Sequence, residues 1–290
     1  MKYAICFFGL FRSFEKIYHL ILQNFKLNDN DQLDIFISTS NFNNKKYRFR
    51  EIKREYFDIN KLENKIKSIV GDKLKILNIM DDKKNNYVRW DRIIDVLHNV
   101  ENYQKENNFK YDKLILHRMD ILFVKWETAD KYYEDRKEGI KRQNGLLYLK
   151  QFNFPIGVKE HGCCCIQNSP NYIDTSIDLS INLNENEIIC YEDYWIGHVC
   201  IDFLIFNSNI TELVINFYKN FINKQYLNIE RYNKKINSHQ SYDTLDKKWW
   251  LYNDSNINSA ESQLKLYLEQ NKLLIKQLRF NQDISVLYIR

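Results

Sequence analysis

Short apolar runs alternate with amphipathic stretches through residues 1–120, and this alternation limits the fold more than any other feature of the chain. Residues 3–8, 33–38, 74–79 and 114–117 are brief apolar runs bounded by polar or turn residues, so they read as buried strands. Between the first two, Ile17, Leu20, Ile21 and Phe25 share one helical face, and Ser13 is placed to cap that helix. Residues 59–70 repeat the pattern through Leu62, Ile66 and Val70 and stop at Gly71. Residues 90–103 do the same through Ile93, Ile94, Leu97, Val100 and Tyr103. Strand and helix taking turns predict an α/β fold, with a mostly parallel, Rossmann-like central sheet flanked by helices.

After Phe123 the rhythm changes. Charged residues dominate 127–141, and candidate strands follow at 145–150, 163–167 and 201–206. Residues 210–222 have helical spacing, and 223–258 read as a long polar and aromatic loop or lid. Ser259 opens a capped helix running to Gln270, with Glu261 near its start, and late strands are expected at 273–280 and 285–289. The expected organisation is one domain over 1–290, in which an α+β half, 126–290, completes a cleft begun by residues 1–125.

Composition narrows the function classes. With 7 Gly and 2 Pro, disorder and long flexible linkers are disfavoured. The net charge of +5, from 43 basic and 38 acidic residues, is too mild for a nucleic-acid groove and would suit a small phosphorylated ligand. The six cysteines show no CxxC spacing, and Cys163-Cys164-Cys165 would alternate faces if extended, so free thiols in a reducing compartment fit better than zinc or disulfides. The apolar N-terminal run is cut off by Arg12, too short for a signal peptide or membrane anchor, so a soluble cytoplasmic protein is expected.

Ligands of open α/β sheets bind outside the carboxyl ends of the strands. Three polar clusters fall at such ends: Gly9 to Ser13, Ser38 to Asn41 (with Thr39) and His117 to Asp120. Asp120 follows a buried run at once, so it either holds a cation or polar ligand or fastens the strand end by pairing with Arg118. Gly9-Leu10-Phe11-Arg12-Ser13 can offer backbone N–H groups and a guanidinium to a phosphate. It lacks the ending of a Walker loop and the glycines of a dinucleotide fingerprint. Tyr191-Glu192-Asp193-Tyr194-Trp195-Ile196-Gly197 sets two carboxylates among aromatics. Either one of them is a general base with a raised pKa, or the segment is the acidic first turn of a helix. His198 and His239 are kept as possible metal or phosphate contacts.

Taken together, G-x-x-R-S (Gly9 to Ser13), Y-D-x-x-x-x-x-R-x-D-I-x-F (Tyr111 to Phe123) and E-D-x-x-x-G (Glu192 to Gly197) resemble GT-A-type nucleotide-sugar glycosyltransferases. The likeness is greatest to the small enzymes of capsule and lipopolysaccharide clusters and of large DNA viruses. Ser259-Ala260-Glu261-Ser262-Gln263-Leu264, with Tyr267-Leu268, is similar to the helix after their acceptor region. The resemblance implies a hexosyl- or pentosyltransferase moving a sugar from a nucleotide diphosphate to a hydroxyl of a glycan acceptor. It implies a donor site from Gly9, Arg12, Ser13, Ser38, Thr39, Arg118 and Asp120. It implies Mn²⁺ or Mg²⁺ on Asp120, to which His239, kept above from the residues alone, is a candidate further metal ligand. The family's D-x-D motif falls on Arg118-Met119-Asp120, where Arg118 replaces the first acid, so Arg118 could itself neutralise phosphate. The family's x-E-D motif falls on Tyr191-Glu192-Asp193 and makes Asp193 the base of an inverting reaction, with Glu192 the alternative. Trp195, Trp249 and Trp250 are candidate sugar-stacking residues on the acceptor side. Two rivals remain: a non-catalytic nucleotide- or glycan-binding protein on this scaffold, and a sugar nucleotidyltransferase. The oligomeric state is left open.

Overall fold

The computed structural model of the chain describes residues 1–12, 14–44, 54–82, 89–125, 146–149, 154–157, 177–193, 198–223, 260–277 and 284–288. In chain order these form β1 (Lys2–Leu10), α1 (Phe14–Gln23), β2 (Phe25–Lys26), β3 (Gln32–Ser40), β4 (Phe42–Asn44), β5 (Arg54–Tyr56), α2 (Ile59–Val70), β6 (Leu74–Met80), α3 (Arg89–Glu106), β7 (Lys113–Arg118) and β8 (Ile121–Lys125). Then come β9 (Leu146–Leu149), β10 (Phe154–Gly157), β11 (Ile177–Asp178), β12 (Glu187–Asp193), β13 (His198–Phe206), α4 (Thr211–Ile222), α5 (Ala260–Gln270), β14 (Leu274–Gln277) and β15 (Ile284–Tyr288).

A seven-stranded sheet in the order β14-β12-β13-β7-β1-β3-β6 organises the molecule. The strands β7, β1, β3 and β6 are mutually parallel, and β12 is parallel to β14. Between them β13 runs antiparallel to both β7 and β12. The expectation of an α/β fold with a mostly parallel sheet therefore holds, and β13 makes the sheet mixed.

Strand β1 is apolar along its length because helices cover both of its faces, as parallel sheets require. Tyr3, Ile5 and Phe7 enter one core with Phe14, Ile17 and Ile21 of α1 and Leu62, Ile66 and Val70 of α2. Ala4, Cys6 and Phe8 enter the other with Ile93, Val96 and Leu97 of α3, Val214 and Tyr218 of α4, and Leu264 and Leu268 of α5. Helix α2 has the expected bounds: Asp58 caps it by accepting from the Lys61 N–H at 2.9 Å, and Gly71 ends it at φ 67°. Fully burying each large apolar side chain contributes about 1.5–3 kcal/mol, and these two layers hold most of them.

β12, β13 and β14 extend the same sheet as β1, β3, β6 and β7. One expectation changes. Residues 191–193 are the end of strand β12, so the reading of that segment as a helix start is overturned. The sequence offers only the apolar pair Ile188-Ile189 there, too short a run to mark a strand. The expected strand 163–167 and residues 224–258 of the expected loop lie outside the described residues.

Candidate functional site

The chain leaves β1 through two unusual backbone conformations. Gly9 has φ 114°, a region nearly closed to side chains, and Arg12 has φ 30°. A Cβ on Gly9 would meet Arg118 Cγ at 3.6 Å, an ordinary contact, so the backbone angle is what calls for glycine. The Met119 N–H donates to the Phe8 carbonyl at 2.9 Å, which carries the β1–β7 pairing past the strand end. Met119 is fully buried and pins the turn that links β7 to β8. The Arg12 N–H donates to Asn43 Oδ1 at 3.1 Å. These contacts bring Arg12, Arg118 and Asp120 together at the carboxyl edge of the sheet.

Arg12 Nη1 lies 2.6 Å from Asp120 Oδ2. Arg118 grips the same carboxylate with two nitrogens, Nε to Oδ1 at 2.5 Å and Nη2 to Oδ2 at 2.8 Å. Its third nitrogen, Nη1, reaches Asp202 Oδ2 on β13 at 3.0 Å. Asp202 Oδ1 in turn accepts from Arg89 Nη1, at the first residue of α3, at 2.9 Å. Three guanidiniums thus share two carboxylates. The carboxylates are the deeper members: Asp120 is 2% exposed and Asp202 5%, against 14% for Arg12, 11% for Arg118 and 31% for Arg89. Buried charges persist only when paired in this way. The Arg89 guanidinium also lies over the Trp90 ring, 4.0 Å from its centroid, and Trp90 stacks on Tyr218 of α4.

A second pair ties α3 to β3. Arg92 Nη2 lies 3.2 Å from Asp82 Oδ2, and its Nε donates to Ser40 Oγ at 2.5 Å. Burial lowers the Arg92 pKa from its ordinary value, while Asp82 opposes that shift. Asn41 completes the strand end, donating from Nδ2 to Asp81 Oδ1 at 2.8 Å and accepting the Asp82 N–H at 3.1 Å. The N-terminal end of α3, with the positive end of its dipole, therefore sits beside the arginine cluster.

The expected donor residues divide. Gly9, Arg12, Arg118 and Asp120 converge. Ser38 and Thr39 are fully buried in β3, and their hydroxyls find no hydrogen-bond partner among the described residues. The polar work at that strand end falls to Ser40 and Asn41. Glu192 and Asp193 end β12, whose direction matches β7, so both stand at the same carboxyl edge, with Asp193 in register opposite His198 of β13. Ser13, Trp195, His239, Trp249 and Trp250 lie outside the described residues.

Asp202, Arg89 and Arg92 escape the sequence reading. Asp202 carries the signal that drew attention to Asp120, a lone acid inside an apolar strand. Arg89 and Arg92 stand three apart at a helix start, so they share a face.

A divalent cation asks for several oxygen ligands. Among the described residues no group of three or more His, Cys, Asp or Glu converges. Asp120 already faces two guanidiniums, which would repel a cation placed on it. The described donor set does not fit Mn²⁺ or Mg²⁺.

Fold and site together define an α/β protein with an arginine–aspartate cluster at the carboxyl edge of its sheet. The sequence matches no known family model and no curated protein. No helix among the described residues is long and apolar enough to cross a membrane.

Proposed function

We propose that the chain is a GT-A-like glycosyltransferase that moves a sugar from a nucleotide diphosphate to a hydroxyl of a glycan acceptor. The observation that carries this reading is the meeting of the Gly9–Arg12 turn, Arg118 and Asp120 beside the N-terminal end of α3. Parallel strands deliver these groups to one edge, where α/β proteins take phosphorylated ligands.

In the reaction the acceptor oxygen attacks the anomeric carbon, and the bond from that carbon to the diphosphate oxygen breaks. The electron pair leaves with the nucleoside diphosphate, and the hydroxyl proton passes to a carboxylate. Asp193 is the base we assign, with Glu192 the alternative, because β12 ends at the sheet edge that carries the cluster. Attack opposite the leaving group inverts the anomeric centre. The donor diphosphate lies at the Gly9–Arg12 turn, with the sugar directed toward the end of β12.

A panel of nucleotide sugars, assayed for nucleoside diphosphate release with and without glycan acceptors, tests the assignment. Asp193→Asn should keep donor affinity and lower kcat about 10²–10⁴-fold, the range of general-base catalysis. Normal turnover in both Asp193→Asn and Glu192→Gln would overturn the base assignment. A pure binding protein on this scaffold, the reading favoured by the closed pairing of Asp120, would bind a nucleotide sugar and release no diphosphate.

A further inference from the structure

Building on the donor site just proposed, we infer that the diphosphate is bound directly by Arg12, Arg118 and Arg89, with no divalent cation between protein and phosphate. The depth of the charges argues for this. Asp120 and Asp202 are almost wholly buried and each guanidinium of the cluster is more exposed than the acid it pairs with, so among the described residues the more accessible charges are N–H donors. A cation-bridged site needs the reverse, with the acids the more accessible charges. The geometry also suits the ligand. A guanidinium offers fixed, forked N–H donors that match phosphate oxygens, and an ammonium does not.

The three arginines come from three different elements: the turn after β1, the end of β7 and the start of α3. Asp120 joins the first two and Asp202 the last two, so the cluster is preorganised without ligand. Positioned donors bind more tightly than mobile ones because less order is lost on binding. The α3 N-terminal end adds its dipole on the same side. Arg118 standing in place of the first acid of the D-x-D motif then has a direct purpose: it supplies the positive charge that a metal would otherwise bring.

The test is calorimetric titration of inorganic pyrophosphate into the full-length protein, once in EDTA and once in excess Mn²⁺. Binding in EDTA, equal to or tighter than that in Mn²⁺, is the expected result. Arg89 is the most exposed of the three and its loss leaves Asp202 paired with Arg118, so Arg89→Gln should keep a cooperative melt and weaken pyrophosphate by about tenfold, the equivalent of one charge-assisted hydrogen bond. Arg12→Lys keeps the charge, removes the fork and should also weaken binding. Binding that requires Mn²⁺ would overturn the inference and leave the glycosyltransferase reading intact, and so would unchanged affinity in both variants. Pyrophosphate bound in EDTA by a protein that turns over no nucleotide sugar would uphold the anion site and remove the enzyme built on it.

Discussion

Single residues carry most of what is unusual here, and His117 is the clearest case. It is fully buried, its ring edge-on to Phe7, Phe25 and Phe203, with Nδ1–H donating to the Arg118 carbonyl at 2.8 Å. Burial lowers its pKa to about 4, and the Arg118 carbonyl, Asp120 and Asp202 only partly oppose that. An unfolded chain takes up this proton near 6.5, so protonation favours unfolding between those values. Stability from His117 is full above pH 6.5 and falls as pH drops toward about 4, by about 3 kcal/mol in total. Urea unfolding at pH 7 and pH 4.5 measures it, and His117→Phe should flatten that slope. The same scale shows how far one-residue signals reach. Asp120 stands out as an acid at the end of an apolar run, and the structure gives it a role holding two arginines. Asp202 has the same signature, but its partners lie on β7 and α3, far away in sequence.

At the scale of elements, the three helices and the four parallel strands of the first 125 residues are readable because each segment is amphipathic or apolar by local rule, but α1 stops at Gln23 and Phe25, expected on its apolar face, begins β2 because it pairs with β11. α2 begins and ends where Asp58 and Gly71 place it. What local rules miss is how one element is pinned to another. Arg92 fixes the start of α3 to the end of β3 through Ser40 and Asp82, with both charged side chains nearly out of water. Removing one partner of such a pair strands the other, so Arg92→Leu should destabilise by about 3–5 kcal/mol. The double variant Arg92→Leu with Asp82→Leu should recover most of that loss, because no charge is left behind. Chemical denaturation of the three variants reads the coupling directly, and equal losses in the single and double variants would show that the pair does not anchor α3. The end of β12 shows the limit of local reading: two acids after an apolar pair suit a helix start equally well, and the pairing with β13 makes that stretch a strand.

For the whole molecule, one sheet joins residues 1–125 to residues beyond them. β13 lies against β7, with Phe203, Leu204 and Ile205 opposite His117, Leu116 and Ile115. β15 pairs with β8 over residues 121–125. A fragment ending at residue 125 would expose the buried residues Leu114, Ile115, Leu116, His117, Ile121 and Leu122, so it should show no cooperative thermal transition by circular dichroism, where the full chain should show one. A sharp melt of the fragment would mean that β1, β3, β6 and β7 fold without their neighbours. The sequence by itself determined the α/β class, the first four strands of the sheet, the three helices between them and the edge at which polar residues gather. Those follow from periodicity and apolar runs, which depend on neighbours within a few residues. Tertiary structure alone decided that β13 enters antiparallel between β7 and β12, that Asp202 and Arg89 join Arg12, Arg118 and Asp120, and that the acids of this cluster are more deeply buried than its arginines. Each of these depends on contacts between residues some 80 to 110 positions apart. No local pattern encodes such contacts, because they exist only once the sheet has closed its order.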